Sequence, residues 1–197
     1  MNAQDAYDLL MAAAVNRDCF DSHAAASVLA LGMSEGDNLC ARTGLDGAAL
    51  DGLAARLFPT RRAALADMAG PLPEAEVEQD SVRALLMQHA GHDAPLTRWF
   101  AMMIARRAME PDHLWQDLGL RDRGELNTLL TRHFGPLAAK NTNNMKWKRF
   151  FYRQLCEAEG FVLCTTPVCT DCADFDMCFG EETGEARLAR ARLTEPT

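Results

Sequence analysis

NTNNMKWKRFFYRQLCEAE, residues 141–159, decides how the rest of the chain is read. At about 100° per residue, Trp147, Phe150, Phe151 and Leu155 fall on one helical face, while Lys146, Arg149 and Arg153 fall on the other. The spacing predicts one long helix, with an Asn near its start and Gly160 after its end. Its aromatics read as core at helical spacing rather than as a cofactor box. Its cations read as an outward basic stripe.

Outward from that stretch the pattern stays helical. Alanine and leucine dominate, and Ile104 is the single isoleucine, so the β-branched residues that strands favour are scarce. Leu9, Leu10 and Val15 suggest an N-terminal helix, and Leu50, Leu53, Ala54 and Leu57 another that stops near Pro59. Gly70–Pro73 is the strongest interior break and admits a subdivision there. Val82, Leu85, Leu86 and His89 mark a helix ending near Gly91; Trp99, Phe100, Met103 and Ile104 mark the next, closed before Pro111. Asp112 is placed to cap a short helix carrying Leu114, Trp115 and Leu118, with Gly119 as its stop. Asp122 and Glu125 have capping-box spacing ahead of Leu126, Leu129, Leu130, His133 and Phe134. The expected architecture is all-α: a single helical domain over 1–160, an irregular cysteine-rich, metal-cluster-binding loop over 161–182, and a tail over 183–197 with a short helix at Glu185–Leu193.

The 197 residues carry a net charge of −8, with 48% apolar and 24% charged side chains, which is ordinary globular usage. No apolar run is long enough for a membrane helix, and the start MNAQDAYDLL has no basic leader, so a cytoplasmic protein is expected. The charge is uneven. From Leu126 to Cys156 there is no Asp or Glu, against Arg132, Lys140, Lys146, Lys148, Arg149 and Arg153. Whole-chain acidity argues against nucleic-acid binding, which rests on neutralising phosphates. The local basic segment suits a partner or an oxyanion, with Lys146, Lys148, Arg149 and Arg153 as its contacts.

Seven cysteines is an odd number, which argues for metal or redox chemistry over a disulfide framework. Cys19 and Cys40 stand alone, and Cys156 ends the long helix as a half-buried thiol rather than a fifth ligand. The others form CTTPVCTDCADFDMC, which is Cys164-x4-Cys169-x2-Cys172-x5-Cys178. Crowded thiolates repel one another unless a soft metal holds them. Structural zinc usually takes two tight pairs separated by a long loop, and only Cys169 and Cys172 form such a pair. An iron–sulfur cluster suits three close ligands plus a fourth better, with zinc as the competing reading. The histidines read as local: Cys19 and His23 have metal-compatible spacing in an Ala-rich core segment. His89 and His92 straddle a helix end, His113 follows a cap, and His133 lies on a leucine face.

DNA glycosylases of the endonuclease III type resemble this chain in a helical body and a similar cysteine loop. Their Gly-rich hairpin is absent here, and the net acidity weakens that reading further. The sequence resembles the NifQ family of bacterial nitrogen fixation more closely. HLWQDLGL (113–120), RGEL (123–126), NNMKWKRFFYRQLC (143–156) and the four-cysteine run followed by Phe179 and Gly180 carry the resemblance. It implies a molybdenum carrier for assembly of the nitrogenase iron–molybdenum cofactor, with Cys164, Cys169, Cys172 and Cys178 as ligands of a 3Fe–4S or 4Fe–4S cluster. Its implied partners are the scaffold and reductase proteins of cofactor assembly, and its cargo is molybdenum from molybdate or a molybdenum–sulfur species. A redox or structural module, holding a four-iron cluster or zinc and moving no molybdenum, is the alternative. No nucleophile elbow, zinc-protease helix, P-loop or dinucleotide fingerprint occurs, so no enzyme is expected.

Overall fold

The computed structural model describes residues 1–92, 94–158, 160 and 175–182, and every regular element among them is a helix. The chain builds α1 (Ala3–Ala12), α2 (Phe20–Glu35), α3 (Leu39–Thr43) and α4 (Gly47–Leu57). A 3-10 turn at Pro59–Arg61 leads into α5 (Arg62–Asp67), followed by α6 (Val77–Gln88) and α7 (Pro95–Ala108). Then come α8 (Leu114–Asp117), α9 (Arg123–His133), α10 (Gly135–Ala138), α11 (Trp147–Ala158) and α12 (Phe175–Phe179). None of the described helices is long and apolar enough to cross a membrane.

The body is built around α2. From Asp21 to Gly32 every residue of this helix is buried, because Ala24, Ala25, Ala26, Val28, Leu29, Ala30 and Leu31 are apolar all round. A helix without a polar face must be enclosed on all sides. α1 packs along it through Ala3, Ala6 and Leu10. This corrects the face expected from Leu9, Leu10 and Val15: α1 ends at Ala12, and Val15 is 68% exposed. The loop after α8 touches α2 from another side. Gly119 has a φ of 71°, and a Cβ there would meet the Ser27 carbonyl oxygen at 2.7 Å, so only glycine permits both the turn and the contact.

Leu65 before the break at Gly70–Pro73 and Val82 after it belong to one cluster of buried apolar residues. The segment is tied back to α3: Leu39 N–H donates to the Met68 carbonyl at 3.0 Å, and Asn38 Nδ2 to the Pro71 carbonyl at 2.8 Å.

The decisive helix starts later than its spacing suggests. Asn141 Oδ1 accepts from Met145 N–H and its Nδ2 donates to the Met145 carbonyl, both at 2.8 Å, while Asn144 takes a left-handed φ of 54°. The side chain substitutes for helical backbone bonds and folds 141–145 into a loop. Helix α11 therefore begins at Trp147, and Phe150 N–H donates to the Lys146 carbonyl. Its aromatic face is as expected. Trp147, Phe150 and Phe151 are buried, α11 packs on α6, and Trp147 meets Phe150 edge-on with centroids 5.6 Å apart.

Two caps differ in detail. His113 rather than Asp112 is the cap residue of α8, and its N–H donates to Gln116 Oε1 at 3.3 Å. Asp122 caps α9 through Glu125 N–H at 3.0 Å, as the spacing predicts. The Glu125 carboxylate, however, accepts from Arg121 N–H and from His23 Nε2, both at 2.9 Å, which links α9 to α2.

Candidate functional site

Cys178 is the member of the cysteine run that the described residues include; Cys164, Cys169 and Cys172, like the expected helix at Glu185–Leu193, lie outside them. It is half-buried on α12, whose Cys178 and Phe179 pack against the core. Its carbonyl accepts from Lys146 N–H at 2.8 Å, and Lys146 Nζ donates to the Asp176 carbonyl at 2.7 Å. Arg149 approaches the Met177 sulfur at 3.8 Å. The turn closes with Gly180 N–H on the Asp176 carbonyl at 3.0 Å, where a Cβ on Gly180 would come within 2.6 Å of that oxygen. Thus the start of α11 grips the end of the cysteine run through backbone and thioether.

Several cations of the basic segment are met by other side chains. Lys148 turns inward, donating to Asp117 Oδ2 at 2.6 Å and to the Glu110 carbonyl. Arg153 pairs with Glu157 on its own helix at 2.8 Å, and Arg132 makes two bonds of 3.0 Å to Asp21. Lys140 meets His89 Nε2 at 2.8 Å. Among the described residues, only Lys146 and Arg149 of the basic segment bring positive charge to α12. Behind Lys148 lies a string of buried charge. Arg107, fully buried, holds Glu35 through two bonds of 2.6 and 2.9 Å and donates Nε to the Asp117 carbonyl, while the Asp117 side chain is itself fully buried.

Beyond Cys178 the segment is held by residues that spacing did not single out. The Glu182 side chain, 6% exposed, lies 3.7 Å from Arg123 Nη1 and 3.9 Å from His113 Nδ1. Arg123 Nη2 donates to the Asn144 and Met145 carbonyls at 2.9 and 2.8 Å. His113 opens HLWQDLGL and Arg123 opens RGEL, so two neighbouring stretches, distant in sequence from the cysteine run, meet its end. Their signal was the motif itself, not its chemistry.

The other histidines are structural. His23 lies between Tyr7 Oη at 2.8 Å and Glu125 Oε2 at 2.9 Å, and burial lifts the Tyr7 hydroxyl above its usual range. His133 Nδ1 meets Thr97 Oγ1 at 3.0 Å and its Nε2 meets Asp21 Oδ1 at 3.2 Å; His92 Nε2 meets the same Thr97 hydroxyl at 3.2 Å. Burial works against the charge of Asp21, but the bonds from His133 and Arg132 hold its carboxyl well below the usual carboxylate range. Among the described residues no three His, Cys, Asp or Glu side chains gather as a metal site. A cavity of about 630 Å³ opens beside Gly36, Arg42, Leu72, Glu76 and Arg106, and neither cysteine nor histidine lines it.

A family model described as NifQ matches residues 24–180. A protein NifQ homolog of Sinorhizobium fredii is 52% identical over 109 residues, covering 55% of this chain and 47% of its own length. Protein NifQ of Rhodobacter capsulatus is 43% identical over 144 residues, covering 73% and 79%. Protein NifQ of Azotobacter vinelandii is 43% identical over 105 residues, covering 53% and 54%. The chain thus matches about half the length of the Sinorhizobium and Azotobacter relatives. No solved structure matches it.

Proposed function

The chain belongs to the NifQ family of nitrogen-fixation proteins, and from that premise we propose that it is an iron–sulfur molybdenum carrier for assembly of the nitrogenase iron–molybdenum cofactor. The observation that carries this reading is the seating of Cys178. The end of the cysteine run is held on the helical body by Lys146 and Arg149, whose charges, among the described residues, face a carbonyl and a thioether instead of a carboxylate. Positive charge beside crowded cysteines favours the thiolate form that binds soft metal. In this proposal Cys164, Cys169, Cys172 and Cys178 hold the cluster, whose spacing suits three close ligands and a fourth. When bound, such a cluster supplies sulfide ligands and electrons, which molybdenum needs to pass from an oxyanion to a sulfur-bound form.

The remaining residues prepare and present that site. Gly180 lets the turn close on Asp176, and Lys146 ties α12 to the start of α11. Molybdenum is cargo, carried in as molybdate or a molybdenum–sulfur species and handed to the scaffold and reductase proteins of cofactor assembly. The positive face at Lys146 and Arg149 suits an acidic partner surface. The protein then works in the cytoplasm as a carrier, without turnover.

Metal and sulfide analysis of protein purified without air, followed by transfer of molybdenum to the cofactor scaffold, tests the proposal. Iron, sulfide and transferable molybdenum are expected, with visible absorption lost in Cys169→Ser and Cys172→Ser. A colourless protein holding zinc alone, or an iron–sulfur protein that passes no molybdenum, overturns it in favour of a structural or redox module.

A further inference from the structure

We propose that His113 and Arg123 form a binding subsite for a tetrahedral dianionic oxyanion beside the cysteine run, and that Glu182 occupies this subsite until the anion arrives. The naming of molybdate as that anion rests on the carrier reading above; the subsite itself rests on geometry. Glu182 is enclosed, with its side chain 6% exposed, yet its contacts to Arg123 Nη1 and His113 Nδ1 are 3.7 and 3.9 Å. Both exceed hydrogen-bond range. Glu182 Oε2 and Arg123 Nε are each buried with no hydrogen-bond partner among the described residues. Buried polar atoms are almost always hydrogen-bonded, so a carboxylate is a poor fit to this cleft.

The cleft is nonetheless rigid. The Asn144 and Met145 carbonyls fix Arg123 through Nη2, which leaves Nη1 and Nε facing other groups. Met145 is in turn pinned by the Asn141 side chain. A dianion brings twice the charge of a carboxylate and four oxygens instead of two, and charge-assisted bonds to an arginine are about twice as strong as neutral ones. Lys146 and the basic residues of α11 are worse candidates. Lys148 is bonded to Asp117, Arg153 to Glu157, and Lys146 to the Asp176 carbonyl. Glu182 lies four residues after Cys178, so an anion that displaces it frees the segment carrying the last cysteine.

The test is equilibrium dialysis of the full-length chain, purified from molybdenum-free medium, against molybdate and, separately, sulfate. Glu182→Gln removes the competing charge and keeps the shape. A neutral amide competes with the anion for Arg123 and His113 less than a carboxylate does, so molybdate affinity should rise on the order of tenfold. Arg123→Gln should abolish binding. Because Arg123 also holds two carbonyls, His113→Asn is the independent variant: it keeps a side chain able to cap α8, removes the imidazole, and should weaken binding several-fold with the melting temperature unchanged. Unchanged or weaker affinity in Glu182→Gln, or no molybdate bound by either the wild type or this variant, overturns the proposal. Sulfate bound as tightly as molybdate overturns the assignment of molybdate. Protein that binds molybdate here but is purified without iron and sulfide refutes the carrier reading alone.

Discussion

Replacing Lys148 by methionine tests whether buried charge seats the helix that grips the cysteine run. Methionine keeps most of the apolar stem and removes only the ammonium, which donates to Asp117 Oδ2 at 2.6 Å and to the Glu110 carbonyl. At that separation and an effective dielectric of about 20, the two charges attract by about 6 kcal/mol. Desolvating both ions offsets much of this. Breaking one side of such a pair costs more than the pair contributes, because the remaining ion stays in the interior; the usual loss is about 3–5 kcal/mol. The side-chain exposures place the penalty on Asp117, at 0%, rather than on Lys148, at 20%.

At about 2–4 °C per kcal/mol for a chain of this size, the melting temperature should fall by roughly 10 °C. Urea titration should show a lower midpoint with an unchanged slope. The double variant Asp117→Asn with Lys148→Met removes both charges and should recover at least half of the loss, a coupling that a double-mutant cycle reads directly. A Lys148→Met protein within about 0.5 kcal/mol of wild type refutes the reasoning. So does a double variant no more stable than the single one, because the loss would then come from packing of the lysine stem.

Asp21→Asn should lower stability near neutral pH by about 2 kcal/mol, since it removes charged bonds to Arg132 and His133. The Asp21 carboxyl titrates below its ordinary value of 3.8, so its stabilisation is complete above that value and fades as pH falls below it. Melting curves of the two proteins should therefore converge in acid; a constant gap well below the ordinary carboxylate range refutes the assignment. Gly180→Ala places a Cβ 2.6 Å from the Asp176 oxygen and 3.1 Å from its Cα, neither of which can swing away. The helical body should keep its melting temperature while iron content falls, and full iron content in this variant refutes a role for the turn in presenting Cys178.

The parts of the fold legible in sequence are those whose physics is local. Trp147, Phe150 and Phe151 share a face because helical spacing puts them there, and Asp122 caps α9 because its carboxylate reaches Glu125 N–H three residues on. The central helix was not legible by period. Ala24, Ala25 and Ala26 together leave no polar face, and a helix buried on every side has no amphipathic signal. The late start of α11 turned on Asn141 bonding twice to Met145, a choice between side-chain and backbone partners that spacing does not decide. The buried string of Glu35, Arg107, Asp117 and Lys148 joins four helices, and no window of sequence contains it.

That same limit explains why the basic segment reads as one feature in sequence and as two in space. Six cations without a neighbouring acid look like a single docking stripe. Tertiary structure supplies the missing acids from afar: Asp21 reaches Arg132 from α2, and Asp117 reaches Lys148 from α8. What survives as positive potential near the cysteines is the pair that receives no carboxylate among the described residues, Lys146 and Arg149, together with Arg123, which faces Glu182 at a distance too long for a hydrogen bond. Net charge over a stretch of sequence therefore says little about a surface until each charge has been assigned its partner. Here the assignment moves the chemically available cations away from the far end of α11, where Arg153 is held, and toward the end of the cysteine run. Cations gathered there can act on thiolates, on an arriving anion, or on an acidic partner, whereas cations spread along the helix would serve only the last.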